Sequence, residues 1–335
     1  MAGKFSFSPE EYQQAAHKYR SELLYLPIFG CKDTLKYMTS RPGIRYKESV
    51  GTLTGDAQFA PYNPKRAVDF NLDLTHRTLE TYFGSVVANF EPNSAISTLL
   101  GTGATKGDGQ MSTPTAKHVL ALIARGLSEH LNDAIWNGIR NANGDTTKDL
   151  FDGFDTITAR EIKAGNISDS KKNYAKLNED ITVNNVIDVF KEVLWGLDPH
   201  LRAKDLIVFC PQYIVDFYNE AYMLTHSGLS YNTAYNQTSV EGSNNRMTFI
   251  PLPNKADSKL IHITTKSNML VGFDQMSDLE SIMVKEYAPF VLSYVATMFF
   301  GVQFLGIESH DMFVLGLNGF NADRQLGQPV KPINR

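Results

Sequence analysis

The stretch that decides the fold runs from Thr113 to Gly138 and reads TPTAKHVLALIARGLSEHLNDAIWNG. Apolar residues recur along it at steps of three and four, the spacing of one face of an α-helix. Thr113 suits the N-cap, and Pro114 suits the first helical position because its missing N–H is not needed there. A helix from Pro114 to about Ile139 would be about 39 Å long. That length predicts a spine that other elements pack against.

Two strand-like segments lie upstream of this helix, on either side of a turn-rich one. Gly43 to Leu53 and Ala67 to Leu74 have strand character, and the second alternates apolar and polar residues. Between them, Thr54 to Arg66 is rich in Gly, Asp, Pro and Asn. The pattern predicts a long hairpin with an elaborate tip. A two-stranded ribbon is marginally stable alone, so we expect a neighbouring subunit to cover it.

The N-terminus predicts a helix. Ser8-Pro9-Glu10-Glu11 has the pattern of a capping box, and apolar residues then follow helical spacing to Leu26. Pro27 ends the pattern. We expect this amphipathic helix to be an arm that either docks on its own domain or reaches a neighbour.

A second folding unit is predicted from Asn178 onward. A helix over Ile181–Leu197, a strand over Asp205–Cys210 and a helix from Pro211 to Met223 suggest an α/β layer. The polar segment Thr225–Arg246 predicts a long loop. Further strands are predicted over Met247–Pro251, Leu260–Thr265 and Met269–Phe273, and three more runs within Ser281–Leu317.

One apolar stretch, Tyr287 to Ile307, is long enough to resemble a membrane span. It opens near Pro289 and is interrupted by Gly301 and Gly306, and it is rich in Val, Phe and Tyr. These residues favour buried strands over a membrane helix. We therefore expect no membrane contact.

Composition and charge exclude several classes of protein. The 335 residues are 42% hydrophobic and 20% charged, which indicates an ordinary folded chain with about two domains. The net charge of −4 lacks the basic excess of a dedicated nucleic-acid-binding domain. Cys31 and Cys210 are the two cysteines, so we expect two buried thiols and neither a disulfide framework nor a zinc site. The start has no apolar signal segment, which predicts synthesis in the cytoplasm.

No residue pattern predicts catalysis, a cofactor or a metal. Gly101 to Gly107 hints at a phosphate loop, but Lys106 is followed by glycine and no clean strand precedes it. Ser168 to Lys171 matches Ser-x-x-Lys within a polar loop, where a solvated turn is expected. The histidines lack metal-ligand spacing and are expected to be core or surface residues. They are His17, His76, His118, His130, His200, His226, His262 and His310.

The order of these elements resembles the Hong Kong ninety-seven type capsid fold of tailed-bacteriophage major capsid proteins and encapsulin shells. The resemblance rests on order and on local segments, and this family has no signature comparable to a catalytic motif. The segments are Leu206–Pro211 (LIVFCP), Met247–Pro253 (MTFIPLP), Met269–Asp274 (MLVGFD), Ser281–Glu286 (SIMVKE), Ser293–Ile307 and Phe313–Leu315.

The resemblance implies an α+β subunit with four parts. Residues 1–40 would be the N-terminal arm with its amphipathic helix, and residues 41–90 the extended hairpin loop. Residues 91–177 and 276–310 would form a peripheral domain with the spine helix. Residues 178–275 and 311–335 would form an axial α/β domain. Phe5–Leu26, Ile44–Phe90, Pro114–Ile139 and Asn178–Phe273 match the arm, loop, spine and axial segments.

The function implied is that of a structural subunit, not an enzyme. Copies would form pentamers and hexamers, close an icosahedral shell in the virion and enclose double-stranded DNA, with which contact would be non-specific. Further partners would be a separate scaffold, a portal and, in some shells, a decoration protein. Lys47 and Lys65 in the extended loop cannot be assigned as cross-linking residues. The alternatives are an encapsulin-like shell and, more remotely, a soluble α/β enzyme, in which Thr225–Arg246 would cover a pocket.

Overall fold

The computed structural model describes residues 31–55, 72–91, 113–225, 238–274, 282–288 and 291–328. The helices are α1 (Lys32–Leu35), α2 (Thr113–Asn137), α3 (Phe154–Lys163), α4 (Val186–Gly196), α5 (Pro199–Arg202), α6 (Gln212–Thr225) and α7 (Ala322–Gln325). The strands are β1 (Thr39–Pro42), β2 (Lys47–Gly55), β3 (Leu72–Glu80), β4 (Tyr82–Phe90), β5 (Tyr174–Lys176), β6 (Leu206–Pro211), β7 (Met247–Leu252), β8 (Leu260–Thr264), β9 (Met269–Phe273), β10 (Ile282–Ala288), β11 (Val291–Phe304) and β12 (Met312–Gly316).

The first sheet is organised around β11, which has 14 residues. β11 pairs antiparallel with β10, with β4 along Leu292–Phe300, and with β9 along Phe300–Phe304. β1 adds to β9 as a parallel strand. β11 therefore joins β4, which precedes the spine helix, to β9 and β10, which follow β8 of the second sheet.

The second sheet has the order β5-β12-β8-β6-β7 and mixes parallel and antiparallel pairs. Helices α4 and α6 contribute to its hydrophobic core, where the rings of Phe190 and Tyr218 lie 4.9 and 4.8 Å from that of Phe249. The prediction of an α/β layer over this region is confirmed.

The spine helix α2 lies against a core shared by both sheets. Its buried residues Ile135 and Trp136 belong to the same cluster as Phe300 of β11 and Phe209 of β6. The Trp136 ring lies 5.4 Å from the Phe209 ring and 5.6 Å from that of Phe154 in α3. The helical prediction from Thr113 onward is confirmed, because the apolar stripe faces this shared core.

The prediction of a hairpin before the spine helix is confirmed, but its strand limits were partly wrong. β2 and β3 pair antiparallel from Lys47↔Glu80 to Gly55↔Leu72. The first strand starts at Lys47 and not at Gly43, because Gly43 and Tyr46 have left-handed backbones with φ of 84° and 76°. The second strand continues to Glu80, well past the predicted end at Leu74. The segment from Thr75 onward is mostly polar because the ribbon is mostly exposed there, so it lacks the apolar alternation that predicts a strand.

Several elements were not predicted, and others lie outside the described residues. β1, β4, α3 and β5 were missed because each is short or carries a mixed pattern. The predicted helix at Ile181 begins instead at Val186, after a turn. The predicted strands from Met247 to Phe273 are confirmed within a residue or two, and the three runs predicted within Ser281–Leu317 are confirmed as β10, β11 and β12. The arm helix up to Leu26, the hairpin tip, the Gly101–Gly107 segment and most of the loop after Thr225 are not among the described residues.

The apolar stretch Tyr287–Ile307 forms the end of β10 and the whole of β11. Among the residues the structure describes, no helix is both long enough and apolar enough to cross a membrane. The preference for buried strands is confirmed.

Candidate functional site: assembly surfaces and a buried charge cluster

The hairpin β2–β3 forms a separate two-stranded sheet, and among the described strands it pairs with no other. Thr75, His76 and Thr78 of β3 are exposed, as are Ser49 and Gly51 of β2. The ribbon therefore leaves these polar residues uncovered, and neither of its strands is paired on its outer edge with another described strand. An uncovered edge is a template for pairing with another chain.

The base of the hairpin rests on the first sheet through a small apolar cluster. Leu79 of β3 and Val50 of β2 are buried together with Ile44 and Leu270. A Cβ at Gly301 of β11 would overlap the carbonyl oxygen of Glu80, so glycine is required for the backbones to approach this closely. These contacts fix the base of the hairpin to the first sheet.

Charged groups reinforce this base. Arg77 donates to Glu161 Oε1 of α3 at 2.6 Å. Glu80 accepts from Lys47 at 2.7 Å and from the Tyr82 hydroxyl at 2.6 Å. The hydrogen bond from Lys47, followed by that from Tyr82, lowers the pKa of Glu80. Burial, followed by the hydrogen bond to Glu80, raises the pKa of Tyr82 to about 12.

An apolar patch lies on the first sheet, and we call its residues Tyr46, Phe83, Val87 and Phe299 the outer patch. Tyr46, Phe83 and Val87 are 67%, 58% and 62% exposed. The Phe299 ring lies 5.2 Å from that of Tyr46 and 5.0 Å from that of Phe83. β4 alternates between exposed and half-buried residues, which places Phe83 and Val87 on the same face. Clustered exposed aromatics are typical of contact surfaces.

Large apolar side chains are also exposed on the helices of the second sheet. Trp195 of α4 is 68% exposed, and the Arg202 guanidinium lies 4.3 Å from its ring centroid. Met223 and Leu224 at the end of α6 are exposed too. These residues provide a second uncovered surface, separate in the fold from the outer patch.

A fully buried charge cluster joins α3 to the second sheet. Lys255 Nζ lies 2.6 Å from Asp155 Oδ1, and both side chains are 0% exposed. Ser258 donates to Asp155 Oδ2 at 2.6 Å, and Lys255 Nζ lies 3.5 Å from His262 Nδ1. The Trp136 ring centroid is 4.2 Å from Lys255 Nζ. Every charged group here has a partner, as buried charge requires.

This cluster has perturbed ionisation but no opening to a substrate. Burial, partly offset by Asp155, lowers the pKa of Lys255. Burial and then the positive charge of Lys255 hold the pKa of His262 well below its usual value. The second ring nitrogen of His262 lies 2.8 Å from the Thr158 hydroxyl. The cluster is a satisfied core network, as expected of a core histidine.

Two clefts have linings that include titratable side chains. One of about 530 Å³ lies between the spine helix and β4 and β11, and Tyr294, Leu131 and Arg140 contribute to it. The Tyr294 hydroxyl is buried without a hydrogen-bond partner in the described structure, and burial raises its pKa to about 12. The other, of about 380 Å³, lies under the hairpin beside Arg77 and Tyr82. Neither brings together a nucleophile, a base and an orienting group.

Those residues considered for chemistry that the structure describes do not form a catalytic or metal-binding group. Ser168 and Lys171 lie at a surface 3-10 turn over Asp169–Lys171. Cys31 and Cys210 are free and buried, and burial raises the pKa of each thiol to about 12. The expectation of two buried thiols is confirmed. Within the described ranges no group of three or more His, Cys, Asp or Glu side chains could hold a metal ion.

Comparison with known proteins places the fold. No family model and no curated protein matches the chain. The satellite phage P4 procapsid, solved with its size determination protein, has a chain that matches at TM-score 0.58 and 10% identity, covering 90% of this chain and 92% of that one. The capsid of an empty GTA particle matches at TM-score 0.52 and 10% identity, covering 85% and 89%. An encapsulin complex from Synechococcus elongatus matches at TM-score 0.48 and 10% identity, covering 84% and 86%. From the first two matches, the chain has the α+β Hong Kong ninety-seven type fold of phage capsid proteins.

Proposed function

We propose that the chain is the structural subunit of a tailed-phage or prophage capsid. Copies form pentamers and hexamers that close an icosahedral shell around double-stranded DNA. The observation that carries the proposal is the capsid fold with a hairpin of β2 and β3 that pairs with no other described strand.

Burial between copies is the physical basis of this role. A two-stranded ribbon has too little core of its own to be stable in water. A neighbouring copy under or over the hairpin would cover its strand edges, and the outer patch supplies apolar area of the kind that fills the centre of protein interfaces. Stable interfaces bury roughly 1,200 to 2,000 Å² in total, which several such surfaces on each copy can reach together.

The domain assignment follows the two sheets. The peripheral domain would combine the spine helix with strands β10 and β11 of the first sheet, over residues 91–177 and 276–310. The axial domain would be centred on the second sheet, over residues 178–275 and 311–335. The arm at residues 1–40 and the loop at residues 41–90 would extend from them. β1 and β4 pair with strands of the first sheet although their residues fall in the arm and the loop. The parts defined along the sequence therefore do not coincide with the sheets.

The work of the subunit is geometric and not catalytic. Its partners would be its own copies, a separate scaffold, a portal and, where the shell carries one, a decoration protein. The net charge of −4 favours weak, non-specific contact with packaged DNA over a dedicated binding site. The subunit would be made in the bacterial cytoplasm and end in the virion shell.

The hairpin provides the test. Replacing residues 56–71 by Asn-Gly keeps the paired strands of β2 and β3 and joins them by a tight turn. The thermal transition of the free subunit should stay unchanged, because the described core lies elsewhere, whereas closed particles should disappear from light scattering and sedimentation. Removal of residues 329–335 serves as the control and should leave particles intact.

Proteolysis provides a second measurement on the same proteins. Trypsin can cut after Lys65 and Arg66, which lie in the replaced segment. Cleavage should be fast in the free subunit and slow in the shell, where a neighbour covers the segment. Normal shells from the shortened hairpin, or equal cleavage in both states, would contradict the proposal.

A further inference from the structure

The hairpin and helix α3 are separated by an open cleft. The cleft of about 380 Å³ has Arg77 and Gln303 on the side of the strands and Asp152 and Arg160 on the side of α3. The ribbon is therefore not packed tightly on α3 along this stretch. Contacts that cross this cleft therefore help to hold the hairpin at its angle to the first sheet.

A partly buried ion pair crosses it. Arg77 Nη2 lies 2.6 Å from Glu161 Oε1, and the two side chains are only 14% and 16% exposed. The Gln303 side-chain oxygen accepts from Arg77 at 3.2 and 3.3 Å, and its amide nitrogen donates to the Thr78 carbonyl at 3.0 Å. One side chain of β3 is thus tied to α3 and to β11 at the same point.

This ion pair stays charged and is less exposed to solvent than the pairs Lys47–Glu80 and Arg41–Glu48. Burial alone would raise the pKa of Glu161, but hydrogen bonds from Asn166 and Arg77 outweigh it, so the pKa is lowered. The pairs Lys47–Glu80 and Arg41–Glu48 are more exposed and weakened by solvent.

The two ends of the hairpin lie side by side at its base. The chain enters the hairpin through Gly43 and Tyr46, both with positive φ, and leaves it through Thr81, whose N–H donates to the Tyr46 carbonyl at 2.7 Å. Entry and exit are therefore adjacent, as at a hinge. Among the residues whose burial is described, the apolar packing at this base is one cluster of four buried side chains.

We propose that Arg77 and Glu161, with Gln303 as the third member, form a latch that sets the angle of the hairpin relative to the first sheet. This inference rests on the proposed function: a hairpin that reaches a neighbouring copy transmits its angle to the curvature of the shell. Closing the latch holds one angle, and removing it releases the ribbon to sample several. Arg77 and Glu161 act as positioning residues and do not themselves contact the neighbour.

The test measures the angle in the free subunit. Spin labels at Ser49→Cys on the exposed side of β2 and at Ala164→Cys after α3 report the distance across the cleft. The buried native thiols, with pKa values raised to about 12, should escape labelling. The native latch should give one narrow distance. Arg77→Gln and Glu161→Gln should each lose it and give a broad distribution.

Two controls separate the latch from a general loss of charge or fold. Lys163→Gln removes an exposed ion pair with Asp323 from the same helix and should leave the narrow distance. The double variant Arg77→Glu with Glu161→Arg should narrow the distribution relative to either single variant, since an ion pair again crosses the cleft, but should not fully restore the native width, because the Gln303 amide nitrogen cannot face the new carboxylate and still donate to the Thr78 carbonyl. Equal widths in all variants would overturn the proposal. The circular dichroism spectra of both single variants must match that of the native protein. The distance distributions of the two single variants must also agree with each other.

Assembly of the same variants distinguishes this inference from the proposed function. If the native protein forms shells, the latch variants should give shells of mixed diameter or incomplete shells. If the native protein forms none while the distances change as expected, the latch stands and the capsid proposal fails. Uniform native-sized shells from both latch variants would overturn the link between the latch and curvature.

Discussion

Replacing Lys255 by Met should destabilise the protein strongly. Met keeps the length and apolar character of the stem but removes the charge that lies 2.6 Å from Asp155 Oδ1. Asp155 is then a buried carboxylate with Ser258 as its remaining hydrogen-bond donor among the described contacts. Removing one partner of a buried ion pair costs about 3 to 5 kcal/mol of unfolding free energy. The lost contact with the Trp136 ring adds to this.

Urea unfolding followed by tryptophan fluorescence measures the effect, because Trp136 lies in the cluster itself. Lys163→Met is the matched control: its ion pair with Asp323 is 48% and 39% exposed, and it should cost less than about 1 kcal/mol. Combining Lys255→Met with Asp155→Leu should recover much of the loss, since replacing both members of a buried pair is close to neutral. A Lys255→Met variant no less stable than Lys163→Met would refute the reasoning.

Two further substitutions test the core and the base of the hairpin. Because burial and the charge of Lys255 lower the pKa of His262, the unfolded chain takes up a proton below about pH 6.5 that the folded chain refuses. Stability should therefore fall on acidification by up to about 1.4 kcal/mol per pH unit from this group, and urea titrations should show a shallower fall in His262→Gln. Gly301→Ala should push a Cβ into the Glu80 carbonyl and speed hydrogen exchange in the hairpin, whereas Gly126→Ala, in open space on α2, should stabilise by about 1 kcal/mol.

The sequence predicts the elements whose pattern matches their surroundings. The spine helix was recognisable because one face of it meets the shared core, so apolar residues such as Leu131 and Ile135 fall at helical spacing. The strands of the second sheet were recognisable for the same reason: β8 is buried at all five positions and reads as an apolar run.

The hairpin shows where pattern reading fails. β3 continues through Thr75-His76-Arg77-Thr78, which no burial rule marks as a strand, because three of these residues are exposed and Arg77 is largely buried through polar contacts and not through apolar packing. β4 was not predicted because two of its exposed positions, Phe83 and Val87, carry apolar residues. Apolar residues on an exposed face obscure the period that identifies a strand.

The charge cluster and the latch could not be predicted from one sequence. Asp155 and Lys255 are separated by 100 positions, and Arg77 and Glu161 by 84. In the sequence each is one charged residue among many. Their pairing is a consequence of tertiary packing. Only Lys255 has a local signal of burial, because it follows the apolar strand β7 and Pro253 closely.

Electron microscopy of the purified chain, expressed alone and with a candidate scaffold, tests the central claim most directly. If the chain is a capsid subunit, we expect closed particles built of fivefold and sixfold capsomers. In these particles the hairpin of each copy should lie on the first sheet of its neighbour and cover the outer patch. Particles in which the hairpin folds back on its own subunit, or a chain that remains monomeric under every assembly condition, would contradict it.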